Sequence, residues 1–227
     1  MRRLGGRFAV SLEIELKRQT SRELFKWFLA AVLFGAPISY AVAARAYHEL
    51  LTAGASSARA ILRIGWRGLV EILDRAGYVR YDEKTATKLL TVCQRLLDGY
   101  AGDLGAVQHA AVDEADLERR LMALGPGVGP ATATIFLREL RGIWAKAEPL
   151  PCAMGTRAAY DLGYVPARMR YPARILEQLR EVWREAGGRA GDFADFETAL
   201  VRHGIALRRA QHGMAPTRRT RAAERRA

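Results

Sequence analysis

The segment Gly125-Pro126-Gly127-Val128-Gly129-Pro130 constrains this chain more than any other stretch. It cannot continue a helix, because glycine carries the largest backbone entropy cost and proline lacks the N–H that an interior turn donates. Yet helical patterning runs up to it and away from it. Leu117, Leu121 and Leu124 share a face before the break, and Ile135, Phe136 and Leu140 share one after it. Pro130 suits the first turn of a helix, where the missing donor costs nothing. The spacing therefore predicts a helix over Leu117–Leu124, a glycine hairpin, and a second helix over Ala131–Leu140. The glycines permit positive φ and a close approach to the backbone. The free amides at the start of the second helix suit an anion. Taken alone, the six residues also read as an ordinary glycine-rich turn between helices.

Charge indicates which anion to expect. Among 227 residues, Lys and Arg number 36 against 24 Asp and Glu, a net charge of +12, and most of the cations are arginine. Such a surplus implies a polyanionic partner, nucleic acid ahead of an anionic membrane surface, and makes a phosphate the natural ligand of the hairpin. Half the residues are hydrophobic, so the chain can build a core. Cys93 and Cys152 are too few for a disulfide framework or a four-thiolate cluster, which favours a reducing, cytoplasmic setting. The start of the chain is polar and charged through Lys26, without a signal pattern. Trp27 to Ala44 is an uncharged run of 18 residues, the shortest length that spans a bilayer. Gly35-Ala36-Pro37 interrupts it, so two buried helices joined by a turn are expected instead. His48, His109, His203 and His212 are scattered, with no spacing that suits zinc.

The rest of the chain reads as a series of short helices. Residues before Thr20 hold a short apolar alternation, Phe8 to Leu16, that suits an edge strand or the start of a helix. Ser21 is the expected N-cap of a first helix reaching Phe34, and a second runs from Pro37 or Ser39 to about Leu51. A helix over Ala58–Ile64 breaks at Gly65-Trp66-Arg67 and another covers Gly68–Ala76. Gly77-Tyr78-Val79-Arg80-Tyr81 is a tight connection into a helix capped by Asp82 and reaching Gly99, with Leu89, Leu90, Cys93, Leu96 and Leu97 along one side. Glu148-Pro149-Leu150-Pro151-Cys152 is extended, and helices follow over Thr156–Leu162, Ala173–Ala186 and Phe193–Leu207, the last capped by Asp192. From Arg208 to the end, seven arginines face one glutamate, 7 − 1 = +6, in a stretch almost without core-forming side chains. That composition predicts a basic disordered tail.

The hairpin resembles the helix–hairpin–helix of the endonuclease III-like DNA glycosylase superfamily, whose hairpin reads Leu-Pro-Gly-Val-Gly with Thr-Ala shortly after. Here Gly125-Pro126-Gly127-Val128-Gly129-Pro130-Ala131-Thr132-Ala133 answers it. The resemblance extends from Leu24 to Ala147 and takes in the Gly77-Tyr78-Val79 connection and the long helix with Cys93. It implies an all-α, endonuclease III-like fold divided into an N-terminal segment (1–23), a helical domain (24–147), C-terminal helices that return to complete the body (148–207) and the basic tail (208–227). It also implies binding of double-stranded DNA, damaged or abasic duplex included, and a nucleoid-associated location within the cytoplasm. Gly125, Gly127, Val128, Gly129, Ala131 and Thr132 would form the phosphate site. Arg80, Tyr81 and Lys84 would border the pocket, Tyr81 stacking on a base and Arg80 binding phosphate, with Arg138 on the second hairpin helix as a further contact.

The catalytic pattern departs from the family's. Bifunctional members carry a lysine nucleophile where this chain has Ala131, and the family's aspartate falls near Pro149, where no Asp-Thr-His-like triplet occurs. Glu148 is the nearest carboxylate. The family's intercalating glutamine corresponds to Ala36, and its four-cysteine iron–sulfur run is missing, so no cofactor is expected beyond a monovalent cation at the hairpin. A catalytically degenerate DNA-binding relative is the preferred reading. The alternatives are a monofunctional glycosylase using Glu148 as a displaced carboxylate, and a helical protein-interaction or membrane-associated module.

Overall fold

The computed structural model describes residues 6–213 and is all-α, with no strand among those residues. It divides into two compact units, one of Arg7–Pro149 and the other of the chain from Leu150 onward with Gly6. The first unit holds α1 (Phe8–Ser11), α2 (Ser21–Phe34), α3 (Tyr40–Thr52), α4 (Ala58–Arg75), α5 (Asp82–Tyr100), α6 (Leu104–Ala110), α7 (Glu114–Ala123) and α8 (Pro130–Leu140). The second holds α9 (Ala153–Asp161), α10 (Pro172–Glu185) and α11 (Phe193–Gly213).

The first unit is built around α2. Nine of its residues from Leu24 to Leu33 are buried, including Trp27 at 0% exposure. A helix apolar on every side must be enclosed by others. α8 supplies one wall: the Trp27 indole N–H donates to the Phe136 carbonyl at 3.0 Å, and the rings of Phe28 and Phe136 meet edge-on at 5.4 Å. Thr20, one residue earlier than expected, caps α2 by accepting the Glu23 N–H, while Ser21 donates to Asp103. The uncharged run is indeed divided, α2 ending at Phe34 and α3 starting at Tyr40. No helix among the described residues is long and apolar enough to cross a membrane.

The N-terminal segment forms no edge strand. Phe8–Ser11 is one helical turn, and a 3-10 turn follows over Leu16–Arg18. Its anchor is Glu139 of α8, fully buried, which accepts the Phe8 and Ala9 N–H groups at 2.7 and 2.8 Å. Burial holds this carboxyl above the usual carboxylate range, against the opposing effects of Arg138 and the two N–H donors. The break foreseen in the fourth helix lies at Gly65, whose φ of 71° and ψ of 173° interrupt α4. α4 then packs along α5, which buries Leu89, Val92, Cys93 and Leu96.

In the second unit, α9 and α11 cross closely. A side chain at Gly204 would run into the Met154 backbone, and Gly155 faces Val201. A core of Ala158, Ala159, Ile175, Leu179, Phe196 and Leu200 joins them to α10. α11 continues through Gly213, six residues beyond the expected end at Leu207, so the start of the arginine-rich stretch is helical. The remainder of that tail lies outside the described residues.

The two cysteines should differ sharply in reactivity. Burial pushes the Cys93 thiol up to about 12, while Cys152 is partly exposed. Alkylation of the native protein followed by mass spectrometry should label Cys152 first. Cys93 should react only once denaturant unfolds α5, and equal rates in the native protein would contradict this packing.

Candidate functional site

The hairpin occupies residues 124–129 between α7 and α8. The Val128 N–H donates to the Gly125 carbonyl at 3.1 Å, closing a four-residue turn with Pro126 second and Gly127 third. Gly127 has φ 110°, as the third position of a type II turn requires. The turn lies against α5. A Cβ on Gly127 would stand 2.7 Å from Lys88 Cδ, and one on Gly125 would stand 3.4 Å from Thr91 Cγ2. Val128 is buried, and the buried Thr132 hydroxyl donates to the Gly127 carbonyl at 3.1 Å, tying the turn to the helix that follows.

Gly129 is different. It is the N-cap of α8, with φ −89° and ψ −177°, which any residue adopts, and a Cβ there would meet nothing within 4 Å. No side chain caps the helix. Pro130 has no N–H, and the Ala133 N–H makes the first helical bond, to the Gly129 carbonyl at 3.0 Å. The amides of Ala131 and Thr132 therefore precede the ladder, as N-terminal amides do. Ala131 itself is exposed. On the other side, Gly35 at the end of α2 backs onto Thr132 so closely that any side chain would strike the threonine hydroxyl. The turn containing Ala36 is thereby brought beside the first turn of α8.

Gly125, Gly127, Val128, Gly129, Ala131 and Thr132 thus form one small structure, and Lys84 stands on α5 one helical turn before Lys88. Arg80 and Tyr81 lie at the other end of this arrangement, where α5 begins. The Arg80 guanidinium sits 5.5 Å from the Tyr81 ring centroid. The connection carrying them is pinned by Tyr78, whose hydroxyl donates to the Leu33 carbonyl at 2.9 Å and whose phenol burial raises to about 12.

The role expected of Arg138 is corrected. Its side chain is buried, with the guanidinium 5.6 Å from the Phe8 ring centroid and 3.9 Å from the Glu139 carboxylate. It faces the interior because position 138 lies on the side of α8 that receives the N-terminal segment. Glu148 is paired with buried Arg141, whose guanidinium also donates to the Pro149 carbonyl. Arg119 and Arg120 bind Asp116 at 3.0 and 2.8 Å. The Arg120 bond, with the Val112 N–H and Arg119, holds the Asp116 carboxyl down at about 2. Lys88 is the residue that sequence reading missed. Its four-residue spacing from Lys84 is the available signal, since it puts both lysines on one face of α5.

No protein-family model matches the chain, and no curated protein matches it.

The two hairpin glycines should respond differently to alanine. At Gly127 the positive φ and the contact with Lys88 should cost on the order of 1–3 kcal/mol, whereas Gly129→Ala should melt within about 0.5 kcal/mol of the parent, as surface changes do. Thermal melts followed by circular dichroism decide this, and equal losses at the two positions would contradict the turn geometry.

Proposed function

We propose that this protein binds DNA through the helix–hairpin–helix formed by α7, residues 124–129 and α8, as a non-cleaving relative of the endonuclease III-like DNA glycosylases. The observation that carries this reading is Gly129. Neither backbone strain nor a neighbouring atom requires glycine there, yet it stands at an uncapped N-terminus beside free amides. A glycine without an internal reason fits a position where something external, a phosphate, comes close to the backbone. The lysines of α5 beside the turn supply matching charge. Further support comes from Gly35 and Ala36, since the turn after α2 abuts the hairpin helix where the resemblance puts the loop that enters a duplex.

The chemistry favours binding over cleavage. Ala131 offers no amine for a Schiff base. Glu148, the nearest carboxylate to the expected position, has its charge countered by Arg141, which weakens it as a stabiliser of positive charge developing on a sugar.

Binding is tested by fluorescence anisotropy on a labelled duplex. Gly129→Val should fold as the parent does and bind at least about tenfold more weakly, the loss expected when a phosphate can no longer reach charge-assisted donors. The parent's affinity should also fall steeply with salt. Unchanged affinity in a folded Gly129→Val protein would remove the hairpin from the interface.

Cleavage is tested by borohydride trapping on an abasic duplex. No covalent complex should form beyond what surface amines give with unrelated basic proteins. Strong trapping abolished by Lys84→Ala would overturn the non-cleaving reading and make Lys84 a relocated nucleophile. Base release without trapping, lost in Glu148→Gln, would instead favour a monofunctional glycosylase.

A further inference from the structure

Trp66 stands out among the tryptophans of the first unit. It is 45% exposed, against 0% for Trp27 and 4% for Trp144. The break at Gly65 sets its direction: a side chain at Gly65 would meet nothing within 4 Å, so what glycine contributes there is the positive φ and not room. The exposed ring is also held. Its indole N–H donates to Thr87 Oγ1 on α5 at 3.1 Å, and the Thr87 hydroxyl donates to the Glu83 carbonyl at 2.9 Å. With its polar edge engaged and nearly half its surface in water, the indole is a preorganised apolar plate.

α5 connects this plate to the hairpin. Lys84, Thr87 and Thr91 follow one another along its outer ridge. Trp66 lies on one flank of that ridge, at Thr87, and the hairpin on the other, at Lys88 and Thr91. The separation is on the order of one helix diameter, ~10 Å, which a strand rising about 3.4 Å per nucleotide along a helix axis covers in a few nucleotides. Arg63, Arg67 and Lys84 are exposed, with no ion-pair partner among the described residues. Glu83 is the acid nearest Trp66 in this bonding network, and Asp82 precedes it in the first turn of α5. An exposed indole alone would suit a protein partner equally well, but one with exposed, unpaired Arg63 and Arg67 beside it in sequence and Lys84 on the helix it bonds to suits a polyanion with flat apolar groups.

We infer that Trp66 stacks on an unpaired base of a DNA strand whose phosphate is held at the hairpin, so that the preferred ligand is DNA with interrupted pairing, gapped or single-stranded, and not fully paired duplex. This rests on the DNA-binding reading above and adds the ligand class. Stacking of this kind tolerates any base, because each has a π face.

The test titrates the full chain with a paired duplex, the same duplex carrying a short gap, and a single strand, following anisotropy and tryptophan emission together. Gapped and single-stranded DNA should bind more tightly than duplex and quench the emission. Trp66→Ala should weaken binding of those two by about tenfold, in line with losing one stacked base, and leave duplex within about twofold. In a Trp183→Phe background, which silences the partly exposed tryptophan of the second unit, Trp66→Phe keeps a ring and should retain most of the affinity and lose most of the quenching, since Trp27 and Trp144 are enclosed. Should Trp66→Ala disturb the fold, the phenylalanine variant carries the test alone: quenching that survives in it overturns the inference. If Trp66→Ala binds all three ligands like the parent, the stacking role falls while the hairpin stands. If the parent binds no DNA at all, both fall.

Discussion

The enclosure of α2 by α8 is the contact on which the first unit's architecture depends. Burying an indole the size of Trp27 contributes on the order of 2–3 kcal/mol, and its N–H would cost about 1–3 kcal/mol if left unpaired. The Phe136 carbonyl removes that cost, fixing both the rotation of α8 and its height along α2. One consequence appears at the far end of the pair. With α8 in that register, Thr132 meets Gly35, and the hairpin comes to rest beside the turn that leaves α2. The same helix holds Glu139, and through it the first helical turn among the described residues. A single eleven-residue helix thus positions the hairpin at one end and the N-terminal segment at the other.

The glycines divide by what each is for. Gly127 has an internal reason: the third position of its turn needs positive φ, and α5 leaves no room for a side chain. Gly35 has a steric one, the Thr132 hydroxyl. Gly65 has only a conformational one, since space around it is open. Gly129 has neither, and that difference separates a glycine which builds the hairpin from one which leaves its surface bare. Sequence alone could not separate them, because all four look like helix punctuation.

Much of the helical order was legible in the sequence, for identifiable reasons. Ser39 and Ser57 cap α3 and α4 through side-chain oxygens, a local interaction that sequence spacing records well. The break at Gly65 and the hairpin were legible because glycine and proline act on their own backbone. What escaped was tertiary. The short apolar alternation before Thr20 fitted an edge strand and the start of a helix alike; the two acceptors that select the helical turn come from Glu139, some 130 residues away. Lys88 and Trp66 gained their meaning from neighbours on other elements, Gly127 and Thr87, that no local window contains. α11 ran past Leu207 although its residues lose apolar character there, since a helix already nucleated extends cheaply.

Net charge likewise does not tell where the cations go. A surplus of +12 suggests a surface coated with cations, yet several arginines of the first unit are occupied within it. Arg138 and Arg141 are buried, Arg119 and Arg120 bind Asp116, and Arg45 donates to the Ala76 carbonyl. The Arg141 guanidinium bridges the Glu148 carboxylate and the Pro149 carbonyl just past the end of α8, a task that the planar five-donor fork performs better than an ammonium. Against the hairpin turn itself the charge is instead lysine, Lys88 with Lys84 one helical turn away; on the proposed DNA-binding reading, their compact ammonium groups on flexible stems would meet a phosphate as point charges and impose no bidentate geometry. On that same proposal, orientation of a strand would fall to other groups: the backbone amides at the start of α8, and the Trp66 ring fixed by its own hydrogen bond.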